Sequence, residues 1–490
     1  MEEIFMEGSY LGDMRFSSRD QDCFAALSGD RNPVHLDPLI ARRTQLGQVV
    51  VHGIHVVLRG LEMLAPLLDR PKVTYTLAVR FLKPIFLEET VAVRVSTHGT
   101  SCRIWCEVKG TKVMVLTLSP AVIEEPPHVA VETVPQTAGM PLAVPCVLDY
   151  RDMPNRCGRV VVQCAPSSFT DLFPALAAWI GSDTVRDLAS LSTLVGMECP
   201  GLYSLFSGFH VHLKRIPTEN ALTYAVVATD VRNHLVRMNV CGTTLFGTVD
   251  AIARSPPAEQ QSIRALTKII SPDEFRGQVA LVIGGSRGLG ELTAKLLAAG
   301  GAHPIITYNV GREDAMRVAA EIGEIDRPCD ILGFDVIRPA VPQFATLTAR
   351  PTSLYYFATP KIFARRANRF DPELFSSFYA YYCNGLADVC AALVGTQGGL
   401  AAVFYPSTIS IDERPVGMTE YTMAKAAGEV LCRDLPFFHS GLRVITKRLP
   451  RIWTDQTATV FATETADAVE AMLPVVRAMC GTSPQPLGCG

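Results

Sequence analysis

The sequence predicts a multidomain protein in which an α+β N-terminal region is followed by an α/β C-terminal region with a doubly wound parallel sheet. Three observations support this prediction. The chain has 490 residues, which is too many for one ordinary hydrophobic core. A pattern of helical spacing followed by short strands occurs twice before residue 255. After residue 277, a buried apolar strand runs into a glycine-rich loop and a helix.

The composition excludes several classes of protein. The formal net charge is −3 and no basic stripe is present, so nucleic acid is not an expected partner. The 14 cysteines form no CxxC pairs, and the acidic start Met1-Glu2-Glu3 leads into no apolar stretch typical of a secretory signal. No apolar run reaches the length of a membrane span without charges. We therefore expect free thiols and a cytoplasmic protein with no membrane partner.

The densest group of candidate catalytic residues is the stretch 28–37, which combines a carboxylate, an amide, a proline and an imidazole. Pro33 removes a backbone N–H and pushes Asn32 towards extended geometry, which predicts a short polar turn between helical segments. Asp30 and His35 could then face one cleft as a general acid and a general base. The alternative is an Asx-turn beside a surface histidine.

The residues around this turn resemble those of the MaoC-like (R)-specific enoyl-thioester hydratases and dehydratases. That family places an Asp-x-Asn-Pro-x-His turn before a His-Gly pair and a central helix. The matching residues here are Asp30, Asn32, Pro33, His35, His52 and Gly53. The resemblance covers about the first 120 residues, and it implies a hot-dog fold, in which a curled antiparallel sheet wraps one long helix.

The resemblance also implies the catalytic roles. Asp30 and His35 would hold a water molecule; one group takes a proton from it while the other exchanges a proton at the α-carbon of the thioester. Gly53 would begin the central helix and donate its backbone N–H to the thioester oxygen, which gains charge as the α-proton leaves. Asn32 would brace the turn. We expect no metal ion at this site.

Strand patterns divide the N-terminal region into two repeats. Four β-rich stretches between residues 73 and 118 follow the helical part, so we assign a catalytic hot-dog domain to residues 1–123. A linker is expected at 124–148, where Pro, Val, Thr and Glu are frequent. Residues 149–255 repeat the order of helix and strands, which predicts a second repeat and hence a double hot-dog.

The second repeat has no Asp-x-Asn-Pro-x-His turn. We therefore expect it to be catalytically silent and to shape the tunnel for the acyl chain. His210 and His212 fall on one face of a predicted strand. They could bind a metal, but no third ligand is evident in the sequence, and ordinary strand histidines are the favoured interpretation.

A polar linker at 256–276 precedes the last predicted domain, residues 277–490. The apolar strand 279–283 runs into the glycine-rich loop 284–290 and then into a helix. Glycines permit a tight turn and let phosphates approach the N–H groups at a helix start. This order predicts a Rossmann-type doubly wound parallel sheet that binds a dinucleotide.

This domain resembles the short-chain dehydrogenase/reductase family over about residues 277–490. The glycine loop has that family's spacing, Phe334-Asp335-Val336 resembles its adenine-contacting segment, and Tyr421 and Lys425 form its Tyr-x-x-x-Lys pattern. The resemblance implies the cofactor-binding residues Gly284, Ser286, Arg287, Gly288, Leu289, Gly290, Asn309, Asp335, Val336, Tyr421 and Lys425. It implies the catalytic residues Asn384, Ser407, Tyr421 and Lys425, with Thr408 as the next candidate for the serine.

Tyr421 and Lys425 are four residues apart and therefore share a helix face. The charge of Lys425 would favour tyrosinate, so Tyr421 could exchange a proton with a substrate oxygen that Ser407 orients. The alternative, an incidental Tyr and Lys on one helix, does not account for the whole series of motifs in order. Two departures stand out: residues 356–359 replace the family's Asn-Asn-Ala-Gly, and Pro450-Arg451 replaces its Pro-Gly.

The sequence favours NADP(H) over NAD(H). No acidic residue stands at the end of the strand before Asn309, where one would hold the 2′-hydroxyl of NAD. Arg287 is placed to pair with a 2′-phosphate instead.

Both predicted chemistries share a 3-hydroxyacyl thioester. We therefore expect a bifunctional enzyme that reduces a 3-oxoacyl thioester with NADPH and dehydrates the product to the trans-2-enoyl thioester, or runs the reverse reactions. The substrate would be carried on coenzyme A or acyl carrier protein, and the chain would form a homo-oligomer. One alternative is a hydratase whose reductase fold only binds cofactor or serves as structure. Another is a non-catalytic scaffold subunit of a lipid or polyketide assembly.

Overall fold

The structure, a computed structural model, describes residues 8–44, 46–68, 74–121, 142–161, 164–214, 221–362, 369–397, 399–455, 457 and 465–481. The chain divides after Pro256 into two compact units. No helix in these described ranges combines the length and the apolar character needed to cross a membrane. The cysteines in the same ranges are all free thiols.

The described residues of the first half of unit one form five strands and four α-helices. The strands are β1 (Ser9–Met14), β2 (Tyr75–Phe81), β3 (Val91–His98), β4 (Ser101–Val108) and β5 (Thr111–Pro120). The helices are α1 (Ser18–Ser28), α2 (Pro33–Leu36), α3 (Pro38–Ala41) and α4 (Gly53–Leu64). Strands β2 to β5 overlap the four stretches predicted between residues 73 and 118, whereas β1 was not predicted.

Local signals in the sequence determine where α1 ends and α2 begins. Helix α1 ends at Gly29, whose φ of 85° is a left-handed conformation that glycine adopts without strain. Helix α2 begins after Asn32, whose side chain accepts a hydrogen bond from the backbone N–H of Val34, and Pro33 occupies the first helical position. The predicted polar turn therefore contains Asp30, and His35 lies in the short helix that follows.

The second half of unit one repeats this arrangement. Its strands are β6 (Cys157–Val160), β7 (Ser204–Leu213), β8 (Leu222–Asp230), β9 (Leu235–Cys241) and β10 (Leu245–Ala253). Its helices are α5 (Pro166–Leu172), α6 (Pro174–Ile180) and α7 (Ser182–Thr193), and a π-helical turn, Leu194–Glu198, extends α7.

The ten strands form one sheet in the order β1-β3-β4-β5-β2-β7-β10-β9-β8-β6, and neighbouring strands are antiparallel. Counted outward from the central β2–β7 pair, both halves have the same order of strands. Helices α4 and α7 contribute side chains to a single hydrophobic core that both halves share. Most of the predicted linker 124–148 lies outside the described residues; within its described part, Cys146 accepts a hydrogen bond from the N–H of Leu202.

Unit two contains a six-stranded parallel sheet, as predicted for the C-terminal region. The strands are β11 (Val279–Ile283), β12 (His303–Tyr308), β13 (Asp330–Gly333), β14 (Ser353–Tyr356), β15 (Ala402–Thr408) and β16 (Arg443–Leu449). The helices are α8 (Ile263–Leu266), α9 (Gly288–Ala299), α10 (Arg312–Gly323), α11 (Ala340–Gln343), α12 (Pro372–Tyr379), α13 (Gly385–Ala392), α14 (Ser410–Glu413), α15 (Thr419–Phe438) and α16 (Ala468–Cys480).

The strand order β13-β12-β11-β14-β15-β16 reverses direction between β11 and β14. In such open sheets, ligands bind outside the carboxyl ends of the strands at this reversal. Alternate residues of β11 belong to two separate cores: Ala280 and Val282 to one, Leu281 and Ile283 to the other. Helices therefore cover both faces of the sheet, which makes it doubly wound.

The sequence interpretation of residues 256–276 as a linker is incomplete. Helix α8 lies within this range, and its Ile263 and Leu266 are buried in a core of unit two together with Phe275. Burial of these apolar side chains anchors the segment to the unit, so only its first residues have the polar character of a connector.

Candidate active sites

In unit one, Asp30 is a buried carboxyl group held by two hydrogen-bond donors. Its Oδ1 accepts from the backbone N–H of Asn32 at 3.1 Å, and its Oδ2 accepts from the hydroxyl of Ser192 at 2.6 Å. Its exposed fraction is 1%. Burial raises the pKa of Asp30, although the charge of a protonated His35 and these two hydrogen bonds act in the opposite direction.

His35 lies beside Asp30 in a defined tautomer. Its Nδ1 is 2.7 Å from the carbonyl oxygen of Val50. Because a carbonyl oxygen can only accept, Nδ1 carries the proton, and Nε2 of the neutral ring keeps a lone pair. Burial lowers the pKa of His35, so the neutral ring is favoured. The sequence alternative of a surface histidine does not describe this partly buried ring.

A second imidazole, that of His52, packs against His35 with ring centroids 4.0 Å apart. The backbone N–H of His52 donates to Oε1 of Gln21 at 3.0 Å, and its Nδ1 is 2.7 Å from the same oxygen. Its Nε2 lies 3.1 Å from the backbone carbonyl oxygen of Asp30. His52 therefore ties the Asp30 turn to the start of α4, a contact that the local sequence did not predict.

Gly53 is the first residue of α4, and His52 provides no side-chain cap for this helix. The N–H groups of the first helical turn have no intrahelical partner. A Cβ atom at Gly53 would lie 2.9 Å from the ring of Phe81, so a larger residue would not fit without a shift of that ring. Gly53 thus begins the helix as predicted, with its N–H at the positive end of the helix dipole.

Asn32 braces the turn against the second half of the unit. Its amide Nδ2 donates to the carbonyl oxygens of Gly196 at 2.8 Å, Gly201 at 3.2 Å and Leu202 at 3.3 Å. Together with the hydrogen bond from Ser192 to Asp30, these contacts show that the second repeat is part of the surroundings of Asp30. These contacts come in addition to the roles predicted for the repeat, which were to complete the double hot-dog and to shape the acyl tunnel.

Asp30, His35 and His52 are the one trio with metal-ligand spacing among the described residues, with one candidate ligand atom of each within 4.8 Å of the others. The rings of His35 and His52 stack at an interplanar angle of 27°. The lone pairs in the two ring planes therefore point side by side and do not converge on one position where a metal ion could bind. The predicted strand histidines differ: His212 is buried and stacks on Phe246 at 4.9 Å, with His210 at its edge.

In unit two, the glycine-rich loop lies between β11 and α9, beside the reversal of strand order. Gly284 and Gly288 have positive φ angles of 77° and 57°. A Cβ atom at Gly290 would overlap the carbonyl oxygen of Gly284, so the loop requires glycine there. No side chain caps α9, whose first N–H groups belong to Gly288, Leu289 and Gly290. Ser286 is buried in the same loop.

Arg287 precedes α9 and forms an ion pair with Asp455, with 3.6 Å between Nη1 and Oδ2. Asn309, exposed, follows β12. The backbone of Asp335, beyond β13, is held by two hydrogen bonds to the amide of Gln343, and its Oδ1 accepts from the N–H of Ile337. The neighbouring Val336 is buried in one of the two cores. These predicted cofactor-binding residues thus follow the ends of adjacent strands.

Tyr421 and Lys425 lie one turn apart on α15, and both are buried. Nζ of Lys425 donates to the carbonyl oxygen of Pro406 at 2.7 Å and lies 4.0 Å from the ring centroid of Tyr382. Burial lowers the pKa of Lys425 to about 7 and raises the pKa of Tyr421 to about 12. Burial is the largest influence on the pKa of Tyr421, and the side chain of Thr408 acts in the opposite direction. The stabilisation of tyrosinate by Lys425 stays a prediction.

Ser407 and Thr408 have different hydrogen-bond partners at the end of β15. The hydroxyl of Ser407 donates to Oε1 of Glu429 at 2.5 Å. The hydroxyl of Thr408 donates to Oγ of Ser410 at 3.1 Å, and its interaction with Tyr421 lowers the pKa of that tyrosine. Successive residues of a strand point to opposite faces, and Ser407 and Thr408 are the last two residues of β15. Thr408, the second candidate from the sequence, is therefore the residue in contact with the tyrosine.

Asn384 is exposed, whereas Tyr382 is buried and lies against Tyr421 and Lys425. The ring of Tyr382 meets that of Tyr421 edge-on at 5.8 Å, and its hydroxyl is 2.6 Å from that of Thr359. A π-helical turn, Ala380–Asn384, interrupts the helix here and changes the direction of its side chains. The sequence contained one clue: Thr359 belongs to the segment 356–359 that departs from the family's usual residues.

Two family models match separate parts of the chain. Residues 11–119 match the MaoC like domain, and residues 278–446 match the short chain dehydrogenase family. A 3-hydroxybutyryl-CoA dehydratase from Methylorubrum extorquens is 34% identical over 80 residues, which are 16% of this chain and 51% of that protein. The short-chain dehydrogenase/reductase FrzI from Cladobotryum sp is 41% identical over 61 residues, which are 12% of this chain and 24% of that protein.

The chain therefore spans about half of one curated relative and about a quarter of the other. Among solved structures, a short chain dehydrogenase from Salmonella enterica matches 43% of this chain and 93% of its own, with 19% identity and a TM-score of 0.39. One from Shigella flexneri matches 43% and 88%, with 18% identity and the same TM-score. The family models match the two regions that the sequence motifs indicated. The chain thus contains a MaoC-like dehydratase domain at residues 11–119 and a short-chain dehydrogenase domain at residues 278–446.

Proposed function

We propose that the protein is a bifunctional acyl-thioester enzyme. Its short-chain dehydrogenase domain reduces a 3-oxoacyl thioester to the 3-hydroxyacyl thioester, and its MaoC-like domain interconverts that product with the trans-2-enoyl thioester. The observation that carries the proposal is the pairing of a buried carboxyl group, Asp30, with a neutral imidazole, His35, whose Nε2 is free to accept a proton. The carrier is coenzyme A or acyl carrier protein.

Hydration requires one group that accepts a proton and one that donates it. In its neutral form, His35 takes a proton from water through Nε2, and the hydroxide adds to the β-carbon. Protonated Asp30 supplies the proton that the α-carbon gains. Dehydration starts from the ionic form of the same pair: the carboxylate of Asp30 takes the α-proton, and the imidazolium of His35 protonates the departing hydroxyl group.

The thioester oxygen gains negative charge while the α-carbon exchanges its proton. The N–H of Gly53 would stabilise this charge, because it belongs to the first turn of α4, whose N–H groups have no intrahelical partner. The helix dipole adds to the stabilisation. A donor that is already oriented costs no rearrangement during the reaction. The close approach of Phe81 explains why the position is occupied by glycine.

A nicotinamide dinucleotide would supply the hydride for reduction, and the chain has residues that fit it. The glycines of the loop 284–290 leave the first N–H groups of α9 accessible to a pyrophosphate. Arg287 would leave Asp455 to pair with a 2′-phosphate, which favours NADP(H) over NAD(H). Tyr421 is protonated at neutral pH because its pKa is about 12, so it can donate a proton to the oxygen of a 3-oxo group.

We also propose the domain limits 1–123, 149–255 and 277–490, with the first two domains forming a double hot-dog. The equal strand order of the two halves supports this assignment. A cytoplasmic homo-oligomer completes the proposal, without nucleic-acid or membrane partners. Helix α15 supports self-association, because Met423, Val430 and Phe437 form an exposed apolar stripe with a spacing of two helical turns.

A second candidate function, hydratase activity alone, is favoured by one observation. Lys425 has a pKa of about 7, and its amine is engaged with Pro406 and the ring of Tyr382. With a pKa of about 7, Lys425 is only partly charged at neutral pH and gives less electrostatic support to the chemistry at Tyr421 than an ordinary lysine. In this case the short-chain dehydrogenase domain would bind cofactor without turnover.

One experiment separates these functions. Purified protein is given a short 3-oxoacyl thioester and NADPH, the absorbance of NADPH is followed, and the products are identified by mass. The bifunctional enzyme consumes NADPH and produces both 3-hydroxyacyl and enoyl thioesters. A hydratase alone leaves NADPH unchanged but interconverts added 3-hydroxyacyl and enoyl thioesters. A protein that performs neither reaction would contradict both assignments.

A further inference from the structure

The second repeat packs its central helix against the catalytic turn of the first repeat. Four residues at the end of α7 and in the π-helical turn after it contact residues 28–32. Ser192 donates to Asp30, Thr193 donates to the carbonyl oxygen of Ser28, Gly196 accepts from Asn32, and the sulfur of Met197 accepts from the N–H of Arg31. No residue of the first repeat donates a side-chain hydrogen bond to the Asp30 carboxyl group among the described contacts.

We infer that Ser192 is a positioning residue for the Asp30 carboxyl group, and that the second repeat thereby completes the hydration site of the first. The inference rests on the proposed function, because it assumes that Asp30 exchanges a proton with the substrate. It adds a role for residues 149–255 to the predicted ones of completing the double hot-dog and shaping the acyl tunnel.

Contacts on three sides fix the orientation of the Asp30 carboxyl group. Ser192 holds Oδ2 at 2.6 Å, and the N–H of Asn32 holds Oδ1 at 3.1 Å. Gly196 closes the remaining side, since a Cβ atom there would overlap Oδ1 and lie 2.7 Å from Cγ. A proton donor must keep its direction towards the reacting carbon, and a misplacement of about 1 Å costs about a hundredfold in rate. Ser192 and Gly196 fix that direction from a distant part of the sequence.

The hydroxyl of Ser192 also influences the proton on Asp30. A donor to a carboxylate stabilises its ionised form, so the Ser192 hydrogen bond opposes the effect of burial. The titratable groups that face Asp30 are His35 from the next helix and His52 from the start of α4. Arg254, after β10, affects His35 rather than Asp30. Loss of the Ser192 hydroxyl therefore raises the pH at which Asp30 loses its proton.

The test is the pH profile of kcat/KM for hydration of a crotonyl-type thioester by the full chain. In Ser192→Ala, we expect kcat/KM at neutral pH to fall by about tenfold to a hundredfold, and the alkaline limb to move up by about one to two pH units. Ser192→Thr keeps a hydroxyl and should retain the position of the limb. Gly196→Ala should reduce hydration without removing any hydrogen-bonding side chain.

Ser190→Ala is the matched control. Ser190 is buried on the same helix, but its hydroxyl donates to the carbonyl oxygen of Arg186. This variant makes the same Ser→Ala change on the same helix, so its Tm should change by a similar amount, and it should keep the wild-type profile. A Ser192→Ala profile equal to that of Ser190→Ala would overturn the inference.

A double-mutant cycle separates failure of this inference from failure of the proposed function. If Asp30 exchanges the proton, Asp30→Asn abolishes most of the activity, and adding Ser192→Ala to it changes little more. If Ser192 acts only through folding, it lowers the residual activity of Asp30→Asn by the same factor as in the wild type, and the inference is wrong. If Asp30→Asn itself leaves hydration intact, the proposed function fails first.

Discussion

His35 donates its Nδ1 proton to the carbonyl oxygen of Val50, 2.7 Å away, and this hydrogen bond determines which nitrogen of the ring can act as a base. Nε2 is left with a lone pair on the side of the ring away from Val50. The carboxyl group of Asp30, in the turn that precedes the helix of His35, is the acidic partner. In the proposed hydration, His35 can therefore accept a proton from water while Asp30 donates a proton to the α-carbon.

Removing either partner should abolish most of the hydration activity. We expect Asp30→Asn and His35→Ala each to slow hydration of a crotonyl-type thioester by about a hundredfold to ten-thousandfold, because each loses one proton transfer. Reduction of 3-oxoacyl thioesters should be unchanged in both variants. The measurement is the initial rate of loss of the enoyl thioester absorbance. Hydration at the wild-type rate by both variants would exclude this pair as the catalytic groups.

The pH profile of hydration should reflect the burial of both groups. His35 must be neutral to accept a proton, and burial lowers its pKa from the ordinary 6.5. Activity should therefore persist as the pH falls through 6.5 and be lost only at lower pH. Asp30 must be protonated to donate, and its raised pKa moves the alkaline limb above that of an ordinary carboxyl group. Because the groups are neighbours, the two limbs report the pair. An acid limb at or above pH 6.5 would contradict this account.

Local sequence was sufficient to predict the polar turn around Asp30. Pro33, Asn32 and Gly29 act on their own backbone and on their neighbours, so their effects can be read without a three-dimensional structure. Ser192 could not be found in this way. It lies 162 residues from Asp30, in a helix whose sequence contains no catalytic motif, and only the packing of the two repeats brings the side chains together.

The reductase site shows a different limit of sequence reasoning. The strand and the glycine loop were predicted because they depend on apolar runs and backbone freedom. The choice between Ser407 and Thr408 depends on which face of β15 each residue occupies, and the choice between Asn384 and Tyr382 depends on a π-helical turn. A sequence motif does not show a shift of one residue in a strand or of two residues in a helix, yet either shift places a side chain on a different face.

The contact between Thr408 and Tyr421 predicts which hydroxyl supports reduction. Thr408→Val keeps the shape of the side chain but removes the hydroxyl that interacts with Tyr421 and with Ser410, so we expect kcat for a 3-oxoacyl thioester to fall by about tenfold to a hundredfold. Ser407→Ala should retain most of the activity, since its hydroxyl is bound to Glu429. The measurement is NADPH oxidation at saturating substrate. A larger loss in Ser407→Ala than in Thr408→Val would restore Ser407 to the catalytic role.

The ion pair of Arg287 and Asp455 predicts opposite effects on cofactor affinity. Arg287→Ala removes the partner of the 2′-phosphate and should raise the Kd of NADPH by about tenfold or more, with little effect on NADH. Asp455→Asn removes the competing charge and should lower the Kd of NADPH. Its Oδ1 can still accept a hydrogen bond from the N–H of Ala258. Titration by NADPH fluorescence measures both. Preference of the wild type for NADH would show that Arg287 does not select the cofactor.

The two active sites should be chemically independent and act in sequence, because each has its own polar groups within a separate unit. Tyr421→Phe removes the hydroxyl that protonates the forming alkoxide and leaves the ring packed against Phe378 and Tyr382. Reduction should collapse in this variant while hydration of an enoyl thioester continues. His35→Ala should do the reverse, so that NADPH is consumed and the 3-hydroxyacyl thioester accumulates.

Product mass from a 3-oxoacyl thioester and NADPH distinguishes these outcomes. The control is addition of the purified 3-hydroxyacyl thioester to Tyr421→Phe, which bypasses the reductase and should restore the enoyl product through Asp30 and His35. If Tyr421→Phe reduces at the wild-type rate, or if His35→Ala still forms the enoyl thioester, the assignment of reduction to the site of Tyr421 and of dehydration to the site of His35 is wrong. If the wild type fails to oxidise NADPH with every thioester tested, the lowered pKa of Lys425 and the hydrogen bond of Ser407 to Glu429 become the physical explanation, and the protein acts as a hydratase alone.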